Sequence, residues 1–150
     1  MPTQINPATG ETGKAFPELD EQAIDAALAE AERAYRLWRT SDLAERTALL
    51  GSIADQFDAR REELAAVATF EMGKPLEQGR AEVAKCATAF RYYAEHGPAQ
   101  LAPLEYAMPH GRAVGHWLPQ GPVLAVMPWN FPYWQAVRFM APAIMAGNVG

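Results

Sequence analysis

A chain of 150 residues with 49% hydrophobic and 21% charged side chains has the composition of an ordinary folded domain, neither disordered nor fibrous. Its net charge of −5 and the absence of any basic block argue against nucleic acid as a partner, because phosphate binding needs clustered Lys and Arg. No apolar run approaches the roughly 20 residues of a membrane helix, no secretory leader is recognisable, and a single cysteine forms no internal disulfide. A cytoplasmic protein with no membrane partner is expected.

From Asp20 to Trp38, the apolar residues Ile24, Ala27, Leu28, Ala31, Tyr35 and Trp38 recur at steps of three and four. This is one stripe of an amphipathic helix, with Asp20 as N-cap. Ser41 is placed to cap a second helix with Leu43, Leu50, Ile53 and Phe57 inward. The charged run from Asp58 to Glu63 marks a break before a third helix, and its Glu62-Glu63 pair reads as a solvated face. That third helix carries Leu64, Val67 and Ala68, and ends where Gly73 can adopt a left-handed conformation and Pro75 blocks continuation. A fourth spans about Leu76 to His96, buries Val83, Cys86, Ala87, Phe90 and Ala94, and stops at Gly97-Pro98.

Beyond Pro98, prolines and glycines punctuate short β-prone pieces, notably Arg112 to Leu118 and Val123 to Met127. The second piece is nearly all apolar, as expected for a strand covered on both faces in a parallel α/β sheet. Gln135 to Ala146 reads as a helix closed by Gly147-Asn148. Strand, loop and helix make an incomplete βαβ unit. A parallel strand needs neighbours, and the sequence supplies none, so the expectation is the N-terminal portion of a longer protein or a chain truncated at Gly150.

The junction between that strand and helix is Pro122-Val123-Leu124-Ala125-Val126-Met127-Pro128-Trp129-Asn130-Phe131-Pro132. Pro128 and Pro132 each fix their own φ near −65° and push the preceding residue toward extended geometry, so the loop presenting Asn130 has few conformations to lose on ordering. These residues resemble the Pro-Trp-Asn-Phe-Pro loop of the aldehyde dehydrogenase superfamily. Ile5-Asn6-Pro7-Ala8-Thr9-Gly10-Glu11 and Glu71-Met72-Gly73-Lys74-Pro75 extend the resemblance over the whole chain. Within the superfamily it is nearest to succinate-semialdehyde dehydrogenases, through Ala81-Glu82-Val83-Ala84-Lys85-Cys86, Arg91-Tyr92-Tyr93-Ala94-Glu95 and Trp134-Gln135-Ala136-Val137-Arg138.

The resemblance implies an α/β fold class, a helical N-terminal region leading into an incomplete Rossmann-like parallel sheet. Residues 1–107 would be the helical part of the cofactor-binding domain, 108–121 the first arm of an oligomerisation or bridging segment, and 122–150 the first strand, loop and helix of the Rossmann-like domain. It implies NAD(P)-dependent oxidation of succinic semialdehyde through a cysteine thioester, with NAD or NADP undecided, in a homodimer or homotetramer. Asn130 would be the catalytic side chain, donating its NH₂ to the oxyanion; a primary amide donates without titrating. Met127, Pro128, Trp129 and Asn130 would line the cofactor groove, Phe131 and Trp134 would wall the aldehyde tunnel, and Arg138 would clamp the substrate's distal carboxylate. The nucleophilic cysteine, general-base glutamate and cofactor lysine would lie past Gly150, leaving the 150-residue chain inactive alone.

Each assignment has a plainer rival. In those readings Asn130 caps the following helix or holds the turn, Met127, Trp129, Phe131 and Trp134 are ordinary core, and Arg138 is a solvated cation or half of an ion pair. Cys86 lies mid-helix on an apolar face and is expected to be inert. His96, His110 and His116 show no metal-ligand spacing, so no metal is expected. Other functions consistent with the residues are an aldehyde dehydrogenase for another short carboxylated aldehyde such as glutarate semialdehyde, a coenzyme A-acylating relative, or a non-catalytic truncated oligomerisation module with Arg112 to Leu118 as an unpaired strand.

Overall fold

Asn6 makes the first turn: its side chain accepts from the Ala8 N–H at 2.9 Å, and Gly10 takes φ +76°. The chain thereby reverses between β1 (Thr3–Ile5) and β2 (Thr12–Ala15), an antiparallel pair that the sequence pattern did not reveal because five of its seven residues are polar or glycine and nearly all are exposed. The computed structural model describes residues 1–150 in full.

Asp20 caps α1 (Glu21–Trp38), accepting from the Ala23 N–H at 2.8 Å. Its apolar stripe does not become core: Ile24 and Leu28 are 46% and 60% exposed, and only Tyr35 is buried. The helix is held by its C-terminal end instead, through the Tyr35 hydroxyl donating to Pro119 O and the Trp38 indole donating to Ile144 O. The cap of α2 (Leu43–Ala59) is Asp42, which accepts from the Glu45 N–H at 2.7 Å; it is not Ser41. The Ser41 hydroxyl is engaged elsewhere, donating to Trp38 O and accepting from Arg46 Nε. Leu43, expected inward, is exposed, while Leu50 is fully buried and Ile53 and Phe57 pack on the core.

Arg60 separates α2 from α3 (Arg61–Met72), which ends at Gly73 with φ +72°, as its position predicts. Exposed Glu62 and Glu63 pair with Arg80 and Arg60. The next helix, α4 (Leu76–Gln100), passes α3 closely at Gly79, where an added Cβ would stand 3.2 Å from the Ala65 backbone. The predicted stop at Gly97-Pro98 is wrong, because α4 continues to Gln100. Pro98 lacks the N–H that would bond Ala94 O, a loss that together with the ring clash costs about 3 kcal/mol. The Thr47 hydroxyl donates to Ala94 O instead, at 3.3 Å. Gly97 acts through its missing side chain, since a Cβ there would collide with the Met145 side chain.

The core joins three helices: Leu50 and Ala54 of α2, Cys86, Ala87 and Phe90 of α4, and Val137, Ala141 and Met145 of α5 (Pro132–Met145). Each large side chain buried in this way contributes about 1.5–3 kcal/mol. Phe57 extends the cluster toward α5, tilted against Phe90 and edge-on to Tyr133. No helix is long and apolar enough to cross a membrane.

Two strand expectations need correction. Arg112 to Leu118 is β4 (Arg112–Gly115) only, and it is paired with β3 (Leu104–Ala107) in an antiparallel hairpin from Leu104↔Gly115 to Ala107↔Arg112. The hairpin is almost wholly exposed, so burial imprints no alternation on Leu104–Ala107, and it straddles residue 108. Val123 to Met127 forms no ladder. One parallel bridge, Pro122↔Val149, with the Val123 N–H donating to Val149 O, is all the pairing this segment has. Leu124 and Val126 are 88% and 86% exposed, so an apolar strand sequence here lacks the neighbours that would make it one.

Candidate functional site

Met127 to Phe131 leaves the extended segment and turns at Trp129-Asn130 into α5. The helix begins at Pro132, three residues before the predicted Gln135, because proline's fixed φ and missing N–H cost nothing at the first helical position. Trp129 is 73% exposed, Phe131 45% and Met127 40%, so none of these belongs to the core. Trp134, partly buried, packs against the core cluster. Its far end closes with Gly147 at φ +85°, where the Gly147 N–H donates to Ile144 O and the Asn148 N–H to Ala143 O.

Asn130 does not cap α5. The N-cap position is Phe131, which has no side-chain acceptor. The N–H groups of Tyr133 and Trp134 both donate to Glu82 Oε1, at 3.0 and 2.9 Å. The exposed Asn130 amide is thus left uncommitted at the tip of a turn braced by two prolines.

Glu82 is 4% exposed and forms an ion pair with Lys74, itself 5% exposed, whose ammonium also lies 4.0 Å from the centroid of the Phe131 ring. In the sequence these two residues stand only as members of matching motifs, with no role of their own. One signal was available. Glu82, Cys86 and Phe90 follow one another at i+4, so a carboxylate stands on the buried stripe of α4 and must find partners there.

Glu82, Phe131 and Trp134, with Gln78, Ala81 and Lys85, line an open cleft of about 350 Å³ beside the loop. The Lys85 ammonium sits 3.8 Å from the centroid of the Trp134 ring. Arg138 follows one turn after Trp134, exposed, and takes part in none of the chain's ion pairs. A larger groove of about 640 Å³ lies at the other end of α5, between Trp38, Leu49, Met140 and Ile144, away from the loop and mostly apolar.

Cys86 is fully buried, and burial, reinforced by the Glu82 charge, pushes its thiol up to about 12. Such a thiol is protonated at neutral pH and is no nucleophile. His96 packs edge-on against Tyr92, with ring centroids 4.6 Å apart.

The profile of the aldehyde dehydrogenase family matches residues 2–150. Over 149 residues the chain is 50% identical to succinate-semialdehyde dehydrogenase [NADP(+)] 1 of Mycobacterium tuberculosis, covering 97% of this chain and 33% of that protein. Among solved structures, succinic semialdehyde dehydrogenase from Streptococcus pyogenes in complex with NADP+ superposes with a TM-score of 0.92 at 34% identity, over 97% of this chain and 32% of that one. A glyceraldehyde-3-phosphate dehydrogenase from Methanocaldococcus jannaschii complexed with NADP gives 0.91 at 29% identity, over 97% and 32%. The chain spans about a third of the length of the curated relatives it matches.

Proposed function

The chain belongs to the aldehyde dehydrogenase family, and from that premise we propose that it supplies the oxyanion donor and the substrate arm of an NADP-dependent dehydrogenase acting on succinic semialdehyde. The uncommitted Asn130 amide carries this reading. When a thiolate adds to the aldehyde, charge builds on the carbonyl oxygen, and a primary amide held at a rigid turn stabilises it without reorganising or changing protonation. Cys86 is excluded as that thiolate by its burial. The reading therefore places the nucleophile, the general-base glutamate and the cofactor lysine outside residues 1–150, and expects no turnover by these residues alone.

Phe131 and Trp134 supply the apolar wall along which the aldehyde chain lies, beside the cleft they line. Helical side chains lean toward the helix N-terminus, so the long Arg138 side chain lies over the turn that carries Trp134. Its guanidinium, free of any protein carboxylate, is placed to take the substrate's distal carboxylate bidentately. Another short carboxylated aldehyde would use the same clamp.

For the cofactor, the residues present fit one half. Met127, Pro128 and Trp129 offer exposed apolar and flat surface to a ring, whereas residues 122–131 carry no cation for a phosphate. NADP, when bound, accepts the hydride; NAD would present the same ring. These side chains would orient that ring and exclude water. Residues 1–107 and 122–150 are then parts of the cofactor-binding domain, and 108–121 the arm that crosses to a partner copy. The 59% and 80% exposure of Trp117 and Leu118 supports a homo-oligomer buried there.

Arg138→Ala in the complete protein should raise KM for succinic semialdehyde by about 10- to 100-fold, the loss of a charged hydrogen-bonding partner, with little change for an uncharged aldehyde of equal length. Steady-state kinetics on the two substrates decide it, and equal effects on both refute the clamp. Cys86→Ala should leave kcat unchanged while costing on the order of 1 kcal/mol of stability in a denaturant titration. A variant that folds but is inactive would make Cys86 the nucleophile after all.

A further inference from the structure

We propose that Glu82 is a positioning residue for the oxyanion donor: its buried carboxylate, charge-matched by Lys74, anchors the first turn of α5 and so sets where Asn130 points. This rests on the reading of Asn130 given above. The two oxygens of Glu82 divide the task. Oε1 accepts from the Tyr133 and Trp134 N–H groups, and Oε2 takes the Lys74 ammonium. Lys74 also lies against the ring of Phe131, the residue directly after Asn130. The pair therefore holds both the helix that follows the loop and the residue that joins them.

Few free rotations separate this anchor from the amide. Pro132 has a fixed φ, and Phe131, held at φ −134° and ψ 75°, is the one intervening residue with two soft dihedrals. A carboxylate reaching across from α4 replaces the local cap that would ordinarily sit next to the helix. With Phe131 in the cap position, no side chain of the loop is consumed in satisfying α5, and Asn130 stays available. A buried ion pair is a poor device for stability alone, since desolvating both charges offsets most of their attraction. Its geometry here is aimed at the loop.

The test is a set of variants in the complete enzyme, assayed for kcat with and without Asn130→Ala. Lys74→Met/Glu82→Met removes the acceptor and leaves no unpaired buried charge, so folding is expected to survive. Lys74→Met/Glu82→Gln removes both charges but keeps an acceptor oxygen. The Met/Met pair should lower kcat by about 10- to 100-fold, as a displacement near 1 Å does. The Met/Gln pair should restore most of that loss. In the Asn130→Ala background the Met/Met pair should cost little more, because the damage runs through the same amide. An equal further loss in that background, a Met/Met enzyme at the parent rate, or a Met/Gln enzyme as slow as Met/Met overturns the positioning role. Asn130→Ala with unaltered kcat overturns the oxyanion reading itself, and this proposal with it.

Discussion

Asn130→Ala should lower kcat of the complete enzyme by about 10²- to 10³-fold, with KM for the aldehyde little changed. That is about 2.7–4 kcal/mol, the usual cost of one oxyanion donor. The loss should fall on kcat because the donor acts on charge that exists only after attack, and substrate in the ground state gains little from it. Asn130→Asp is isosteric but replaces the donor by a negative acceptor facing the developing negative charge, so it should be slower still. Stability should hardly move in either variant, since Asn130 is exposed and the first turn of α5 bonds to Glu82. An Asn130→Ala enzyme at the parent kcat, or one that is slow only because it melts early, would remove the oxyanion role.

Arg46→Met should cost about 3 kcal/mol or more, and lower the melting temperature by roughly 10 °C in a chain of this size. Arg46 is 7% exposed, and its guanidinium ties three segments together. Nε donates to Ser41 Oγ at 2.9 Å, Nη1 to Met145 O at 3.1 Å, and Nη2 to Trp38, Arg39 and Ser41 carbonyls at 3.1–3.3 Å. Trp38, Arg39 and Met145 stand at the C-terminal ends of α1 and α5, where carbonyls lack partners within their own helix, and Ser41 lies in the turn from α1 to α2. Removing the fork strips the buried Met145 carbonyl and the part-buried Arg39 and Ser41 carbonyls of their side-chain donor, while Trp38 O keeps the Ser41 hydroxyl and N–H; lysine cannot replace the fork because one ammonium does not reach them all. Gly147 belongs to the same arrangement, since a Cβ there would stand 2.8 Å from the guanidinium nitrogens. As a control, breaking the exposed Arg36–Glu32 pair should have no measurable effect. Thermal and urea melts of the variants decide the matter; an Arg46→Met loss no larger than that control would show that solvent satisfies those carbonyls.

The two results would separate what the ends of α5 do. Its N-terminal end is held by Glu82 and Lys74 and presents the loop. Its C-terminal end is held by Arg46 and by the Trp38 indole, and feeds the Pro122↔Val149 bridge. Asn148 reinforces that second end, accepting from the Gln120 and Gly121 N–H groups. The loop therefore sits at the near end of a helix braced at both ends, which is how a short segment keeps one geometry.

Most helices were readable because their determinants are local. Periodic apolar residues place α2 and α4, Asp20 and Gly73 end elements through contacts within three or four residues, and the two prolines stiffen the loop wherever it lies. Ser41 and Asp42 were harder to rank, since both are good caps and only the competing demand of Arg46 and Trp38 on Ser41 decides between them. The β1–β2 hairpin and the strand β3 that pairs with Arg112–Gly115 escaped notice because an exposed strand carries no burial pattern. The α1 stripe misled in the opposite sense, since periodicity measures amphipathicity and does not say what covers the apolar face.

The sequence by itself determined the family, the helical order and the rigid turn around Asn130, because each depends on residue type and near-neighbour spacing. Tertiary structure alone decided three things. Thr47 rescues the bond lost at Pro98, so α4 runs on. Val123 to Met127 stays extended without a ladder. Glu82, some fifty residues before the helix it anchors, takes over the capping of α5 and leaves Asn130 free. In each case the outcome depends on whether a backbone polar group finds a partner, and that partner is brought near only when distant segments pack.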